Sequence, residues 1–233
     1  MPDVSDRRDT WASVRAAVVR DAVGIGVATG AYALSFGAIS TAAGFSIAQT
    51  CVLSLAMFTG ASQFALVGVV GTGSAGSAGV ATAVLLGTRN ALYGVRLAPL
   101  LGVRGVRRLG AAQLVIDEST AMATARDDPR AGRVGFWATG LAVFVCWNRG
   151  TAIGALGASV LADPRALGLD AAAPAAFLAL VAPRLLHRET ATVAAIAVLA
   201  AIVSTPFVAA GVPVLLAALV AIAAGLRPRA GDG

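Results

Sequence analysis

From Ala22 through Thr88 the chain carries no Asp, Glu, Lys, Arg or His. A membrane span needs about 20 predominantly apolar residues, so this stretch alone is long enough to cross a bilayer up to three times. A second uncharged run, Thr190 to Leu226, is interrupted by Pro206 and Pro213 and suits a tight helical hairpin. With 58% hydrophobic and 13% charged residues among 233, lipid is the expected solvent and no room remains for a soluble domain. The fold expected is an all-α, polytopic bundle of seven or eight hydrophobic segments, some of them broken or re-entrant.

The segments fall at about 22–44, 47–70, 76–100, 109–125, 134–157, 171–186, 190–206 and 209–226. They give a cytoplasmic N-terminal segment (1–21), a single transmembrane transport domain (22–226) and a cytoplasmic tail (227–233). Helices are preferred to barrel strands because the runs are continuously apolar, without the alternation a barrel strand needs. Gly26 with Gly30, and Gly150 with Gly154, stand at the spacing that lets helix backbones approach closely in lipid. The same spacings also arise by chance in a chain rich in Gly and Ala. A short echo between Leu97-Ala98-Pro99-Leu100-Leu101 and Val181-Ala182-Pro183-Arg184-Leu185-Leu186 hints at an internal repeat.

The net charge of +6 does not indicate nucleic acid, because the arginines cluster at the ends of apolar segments, where they act as topology signals. Arg7, Arg8, Arg15 and Arg20 resemble a signal-peptide n-region, but the run behind them is too long. An uncleaved first helix with a cytoplasmic N-terminus is expected. Arg184, Arg188, Arg227 and Arg229 agree with a cytoplasmic C-terminus. In the first half, three full crossings would put Arg104, Arg107 and Arg108 outside, against the usual bias, so one early segment is expected to be broken or re-entrant, or the rule to be violated locally. Gly60 and the Gly71 to Gly79 stretch are the natural break points.

Several chemistries are excluded or disfavoured. Lys is absent, so no Walker A lysine exists. Gly71-Thr72-Gly73-Ser74-Ala75-Gly76 matches a dinucleotide fingerprint in form only, because Arg89 and Arg96 stand where the ribose-binding acid belongs. Cys51 and Cys146 lie inside apolar runs and read as small packed side chains. His187, the only histidine, sits at a segment end between Arg184 and Arg188 and reads as a surface residue. With no metal-ligand cluster, nucleophile elbow or Ser-His arrangement, neither an enzyme nor a cofactor is expected.

Charges within the apolar segments are the informative feature, since one Asp or Arg at the bilayer centre costs about 2.5–3.5 kcal/mol and cancels several apolar residues. Arg89, Asp117, Glu118 and Arg149 are the candidates. Arg89, Tyr93 and Arg96 share one helix face. On the functional reading Arg89 holds a substrate carboxylate or a buried acid, and Asp117 or Glu118 pairs with it, binds the ammonium or carries a proton. On the structural reading Arg96 snorkels and the two acids sit near an aqueous end. Ser62 and Gln63 put a hydroxyl and an amide into an apolar run beside Gly60, either as a broken-helix ligand site or as polar glue between helices.

These residues carry a resemblance to the AzlC family, the large subunit of bacterial branched-chain amino acid exporters. It rests on Ala43-Gly44-Phe45-Ser46 with Gln49, Phe58-Thr59-Gly60-Ala61-Ser62-Gln63-Phe64, Arg89 with Tyr93-Gly94 and Leu97-Ala98-Pro99, Asp117-Glu118-Ser119, and Trp147 with Gly150-Thr151. The chain departs from the family pattern in two places. Gly87 and Asn90 occupy the outer positions of its Asn-x-Arg-His block, where Asn90 retains hydrogen-bonding capacity, and Ser35 stands where a proline commonly precedes Phe36-Gly37. The resemblance implies export of valine, leucine, isoleucine and, as a further candidate, methionine across the cytoplasmic membrane. It also implies a small hydrophobic AzlD-type partner subunit. A passive channel or a scaffolding membrane subunit is the alternative.

Overall fold

The computed structural model describes residues 4–73, 75–160, 178, 182–208 and 212–225. Its elements are α1 (Val4–Ala42), α2 (Ile47–Ala56), α3 (Ala61–Gly71), α4 (Gly76–Leu101), α5 (Val106–Gln113), α6 (Asp117–Thr124), α7 (Pro129–Val160), a 3-10 helix (Ala182–Leu186), α8 (Arg188–Ser204) and α9 (Val212–Gly225). No strand occurs among the described residues, as the unbroken apolar runs require. α1 over Trp11–Ala42 and α7 over Pro129–Ala158 are long and apolar enough to cross a membrane. Most of the segment expected at 171–186, and the tail from 227, lie outside the described residues.

The centre of the molecule is the contact between α1 and α7, and glycine makes it possible. A Cβ on Gly26 would meet the Ala142 backbone and Cβ at 2.9 Å, and one on Gly30 would meet Cys146 Cβ at 2.8 Å. One on Gly150 would fall onto the Gly30 carbonyl, and one on Gly154 onto the Leu34 carbonyl. Both glycine pairs picked out by their spacing therefore belong to one interface, where hydrogen side chains let the two backbones touch. Residue numbers rise together along the contact, so α1 and α7 run parallel. Their N-terminal ends are tied by Arg126 to Asp21 at 3.3 Å and by the Arg130 guanidinium 3.9 Å from the Trp11 ring centre.

The segments expected at 47–70 and 109–125 are each broken in the middle. After α1, Gly44 at φ +94° turns the chain back, and α2 descends along α1 and α7, with Thr50 on Ser40 at 2.8 Å and Ser54 donating to Thr151 at 3.2 Å. At Met57 to Gly60 the helix stops. α3 then climbs back until Gly71 lies under Ala43, where a Cβ would meet the Ala43 Cβ at 3.1 Å. Both ends of this first hairpin are thus at the C-terminal end of α1.

α4 packs on α3 through Gly79, whose Cβ would meet Leu66 Cδ1 at 2.9 Å, and runs back to the opposite end. There Arg133 donates to the Leu100 carbonyl at 3.4 Å. The second hairpin starts from this end: α5 rises to Leu114, which packs on Gly140, and α6 returns with Met122 on Gly135 and Ala123 on Gly132. A long helix followed by a two-piece hairpin thus occurs twice, α1–α3 and α4–α6, in opposite senses, and the two hairpin tips face one another.

Candidate functional site

Each return half-helix begins with the same device. In α3 the Gln63 Oε1 accepts from the Gly60 N–H at 3.1 Å, and its Nε2 donates to the Leu53 carbonyl at 3.3 Å. In α6 the Ser119 Oγ accepts from the Ile116 N–H at 3.2 Å and donates to the Leu114 carbonyl at 2.6 Å. These side chains satisfy amides and carbonyls that the broken helices leave open. Gln63 is fully buried, and both ends of its amide hold the hairpin together.

Arg89 stands on α4 where the two tips meet. Its Nη2 lies 2.8 Å from Asp117 Oδ2, at the first turn of α6, and donates to the Thr59 carbonyl at 3.5 Å, in the turn between α2 and α3. One guanidinium therefore touches both hairpins. Its Nε is buried with no partner among the described residues. The side chains of Arg89 and Asp117 keep 35% and 43% of their exposure, so the pair sits at the edge of the packed core with one side open. Asp117 and Glu118 also place negative charge at the positive end of the α6 dipole.

Of the other residues singled out from the sequence, Ser62 is buried beside Gly87, 3.6 Å from where a Cβ would stand, with its Oγ unpaired among the described residues. Asn90 follows Arg89, and its Oδ1 is likewise unpaired. Tyr93 is one turn further along α4 and packs against the core. Glu118 is half-buried beside Asp117, whereas Arg149 is exposed on α7 and forms no ion pair among the described residues. The structure therefore gathers Arg89, Asn90, Ser62, Gln63, Asp117 and Glu118 around the tips and leaves Arg149 on the surface.

Three participants were not visible in the sequence. Thr59 supplies a carbonyl to Arg89 and an unpaired hydroxyl. Gln113, at the end of α5, donates to the Leu55 carbonyl at 2.8 Å and ties one tip to the other. Tyr32 of α1 stacks on Phe64 at 5.1 Å and meets Trp147 edge-on at 5.5 Å, walling the tip region with aromatic rings. Thr59 stands in the break between α2 and α3 and Gln113 at the last residue of α5, and such break positions are the one signal that could have found them.

The AzlC family model matches residues 24–161, the stretch from α1 to α7 that builds both hairpins and the site. The chain belongs to the AzlC family. AzlC is a transport-associated family of membrane proteins rather than an enzyme family, which agrees with an arrangement holding an ion pair and apolar walls. No curated protein and no solved structure matches the chain.

Proposed function

We propose that this AzlC-family chain is the large subunit of a secondary transporter that exports valine, leucine and isoleucine, with methionine a further candidate, across the cytoplasmic membrane together with a small AzlD-type subunit. In this reading α1, α4 and α7 span the bilayer, and the two hairpins enter it from opposite faces without crossing. That topology places Arg104, Arg107 and Arg108 on the same side as Arg20, Arg126 and Arg130, so the positive-inside bias is satisfied with the N-terminus in the cytoplasm. The C-terminal tail is assigned to the same side.

The observation that carries the function is the Arg89 to Asp117 contact at the meeting point of the tips. Charges are rare at membrane depth unless they serve cargo or coupling. The unpaired Arg89 Nε is a donor for a substrate carboxylate, and Asp117, with Glu118 beside it, is the acceptor through which a proton couples to transport. Opposed broken helices meeting at one level are the arrangement from which alternating access is built. The test is valine export from cells expressing both subunits. Arg89→Gln and Asp117→Asn are each expected to abolish export, and the neutral double variant, which leaves no unpaired charge, is expected to accumulate in the membrane without exporting. Parental export by either single variant refutes the assignment.

A further inference from the structure

A groove of about 860 Å³ runs between the two hairpins, from Phe45 at the α1–α2 turn to the tips. Its volume is in the usual range of small-molecule sites, about 300–1,000 Å³. Ala48, Val52 and Ala56 of α2 form one wall and Ala112 of α5 faces them; Thr59 and Asn90 lie at its inner end. The walls are mostly apolar, interrupted by Gln49 and Gln113. At the inner end Thr59 Oγ1 and Asn90 Oδ1 both lack a hydrogen-bond partner among the described residues, and so does the Nε of neighbouring Arg89. Burying polar atoms without partners is costly, so this end is prepared for a ligand bearing both donors and acceptors.

We infer that this groove is the cargo site, in which Asn90 and Thr59 accept the α-ammonium of an amino acid, Arg89 takes the carboxylate, and the aliphatic side chain lies along Val52 and Ala56. The assignment rests on the export reading above and adds to it the residues that fix orientation and chain length. An amphiphilic occupant suits the site because a mostly apolar lining from α2 and α5 adjoins the polar side chains of Thr59 and Asn90. A lipid chain would leave the three polar atoms unpaired, and a partner helix would have to present a donor pair and an acceptor at a single point. The bound zwitterion adds no net charge beside the Arg89 and Asp117 pair, which limits the desolvation cost.

The experiment is equilibrium binding of labelled L-leucine to the purified chain in detergent. Ala56 of α2 and Ala112 of α5 are exposed and both line the groove, so Ala56→Trp and Ala112→Trp fill it from either hairpin without disturbing the core. Each is expected to weaken binding at least tenfold, while Leu92→Trp, 70% exposed on α4 and outside the groove, leaves it unchanged. Asn90→Leu is expected to weaken binding about tenfold, as loss of a hydrogen bond to a charged group does. Asn90→Asp keeps the acceptor oxygen and binds at least as well as the parent.

If the parent binds leucine and both tryptophan variants bind equally well, the groove assignment is wrong and the export reading stands. Loss of co-purified lipid or of a partner subunit from those variants, with leucine binding intact, overturns it in favour of that occupant. Equal losses from Asn90→Leu and Asn90→Asp overturn the ammonium contact. A parent that binds no branched-chain amino acid removes the export reading and the groove assignment together.

Discussion

The α1–α7 interface makes the sharpest prediction, because its geometry states how far the helices must move to admit one methyl group. At Gly26 an added Cβ would stand 2.9 Å from Ala142, and ordinary carbon contacts begin near 3.5 Å, so the helices must part by roughly half an ångström. A gap of that size forfeits about a quarter of each dispersion contact along the interface, and overpacking of this kind costs about 1–3 kcal/mol. Gly150→Ala and Gly154→Ala are worse, since their methyl groups would land on the Gly30 and Leu34 carbonyl oxygens, backbone atoms that cannot rotate away. The assay is the temperature at which half of the purified protein ceases to be monodisperse in mild detergent. Gly150→Ala and Gly154→Ala should lower it by several degrees or prevent accumulation altogether. Gly24→Ala and Gly157→Ala have nothing within 4 Å of the new methyl group and should hold or raise it, since alanine favours a helix by about 1 kcal/mol. If all four variants melt with the parent, the close backbone contact between α1 and α7 does not exist.

Thr50→Val removes one member of the fully buried Ser40 to Thr50 pair and leaves the other hydroxyl unsatisfied, so the same melting assay should register a loss of about 1–2 kcal/mol. Export by cells that still accumulate this variant should be unchanged. In a background with Cys51 and Cys146 replaced, a cysteine at Arg107 should react with a membrane-impermeant thiol reagent only in inverted vesicles, and one at Gly44 only in intact cells. Labelling of both from one face would refute the opposed hairpins.

The amount of helix was legible in the sequence; where the helices stop was less so. The α4 span was read almost to the residue, as 76–100 against Gly76–Leu101, because an apolar run bounded by glycine marks its own ends. The segments at 47–70 and 109–125 were read as single units, since hydropathy reports whether a residue prefers lipid and is silent on whether the chain reverses there. The breaks carry chemical rather than hydropathic marks. Gly60 adopts φ +63°, a conformation costly for any residue with a side chain, and Gln63 and Ser119 close back on their own half-helices. The conflict over Arg104, Arg107 and Arg108 was the strongest sequence sign of a break in the first half, and the 47–70 segment is split into α2 and α3.

The site was legible for a different reason: lipid makes every charge conspicuous. Arg89 and Asp117 stood out because no charge precedes the first from Ala22 onward and apolar sequence precedes the second, and the fold brings them to 2.8 Å. Arg149 passed the same test, yet it is exposed on α7, because one helical turn carries both a core face and an outward face and charge cannot tell them apart. Its neighbours do: Trp147 and Gly150 are buried, so residue 149 lies about 130° from the centre of the face they define. The same periodicity argument explains why Arg89 turns inward, since Thr82 and Leu97 of α4 are buried and Arg89, two turns from each, falls on the same side. Asp117 needs no such periodicity, because it opens a half-helix whose positive end is aimed at the other hairpin. An acid there neutralises both the α6 dipole and the arginine that joins the tips, so the charge that looks most expensive in the sequence is the one the fold compensates twice.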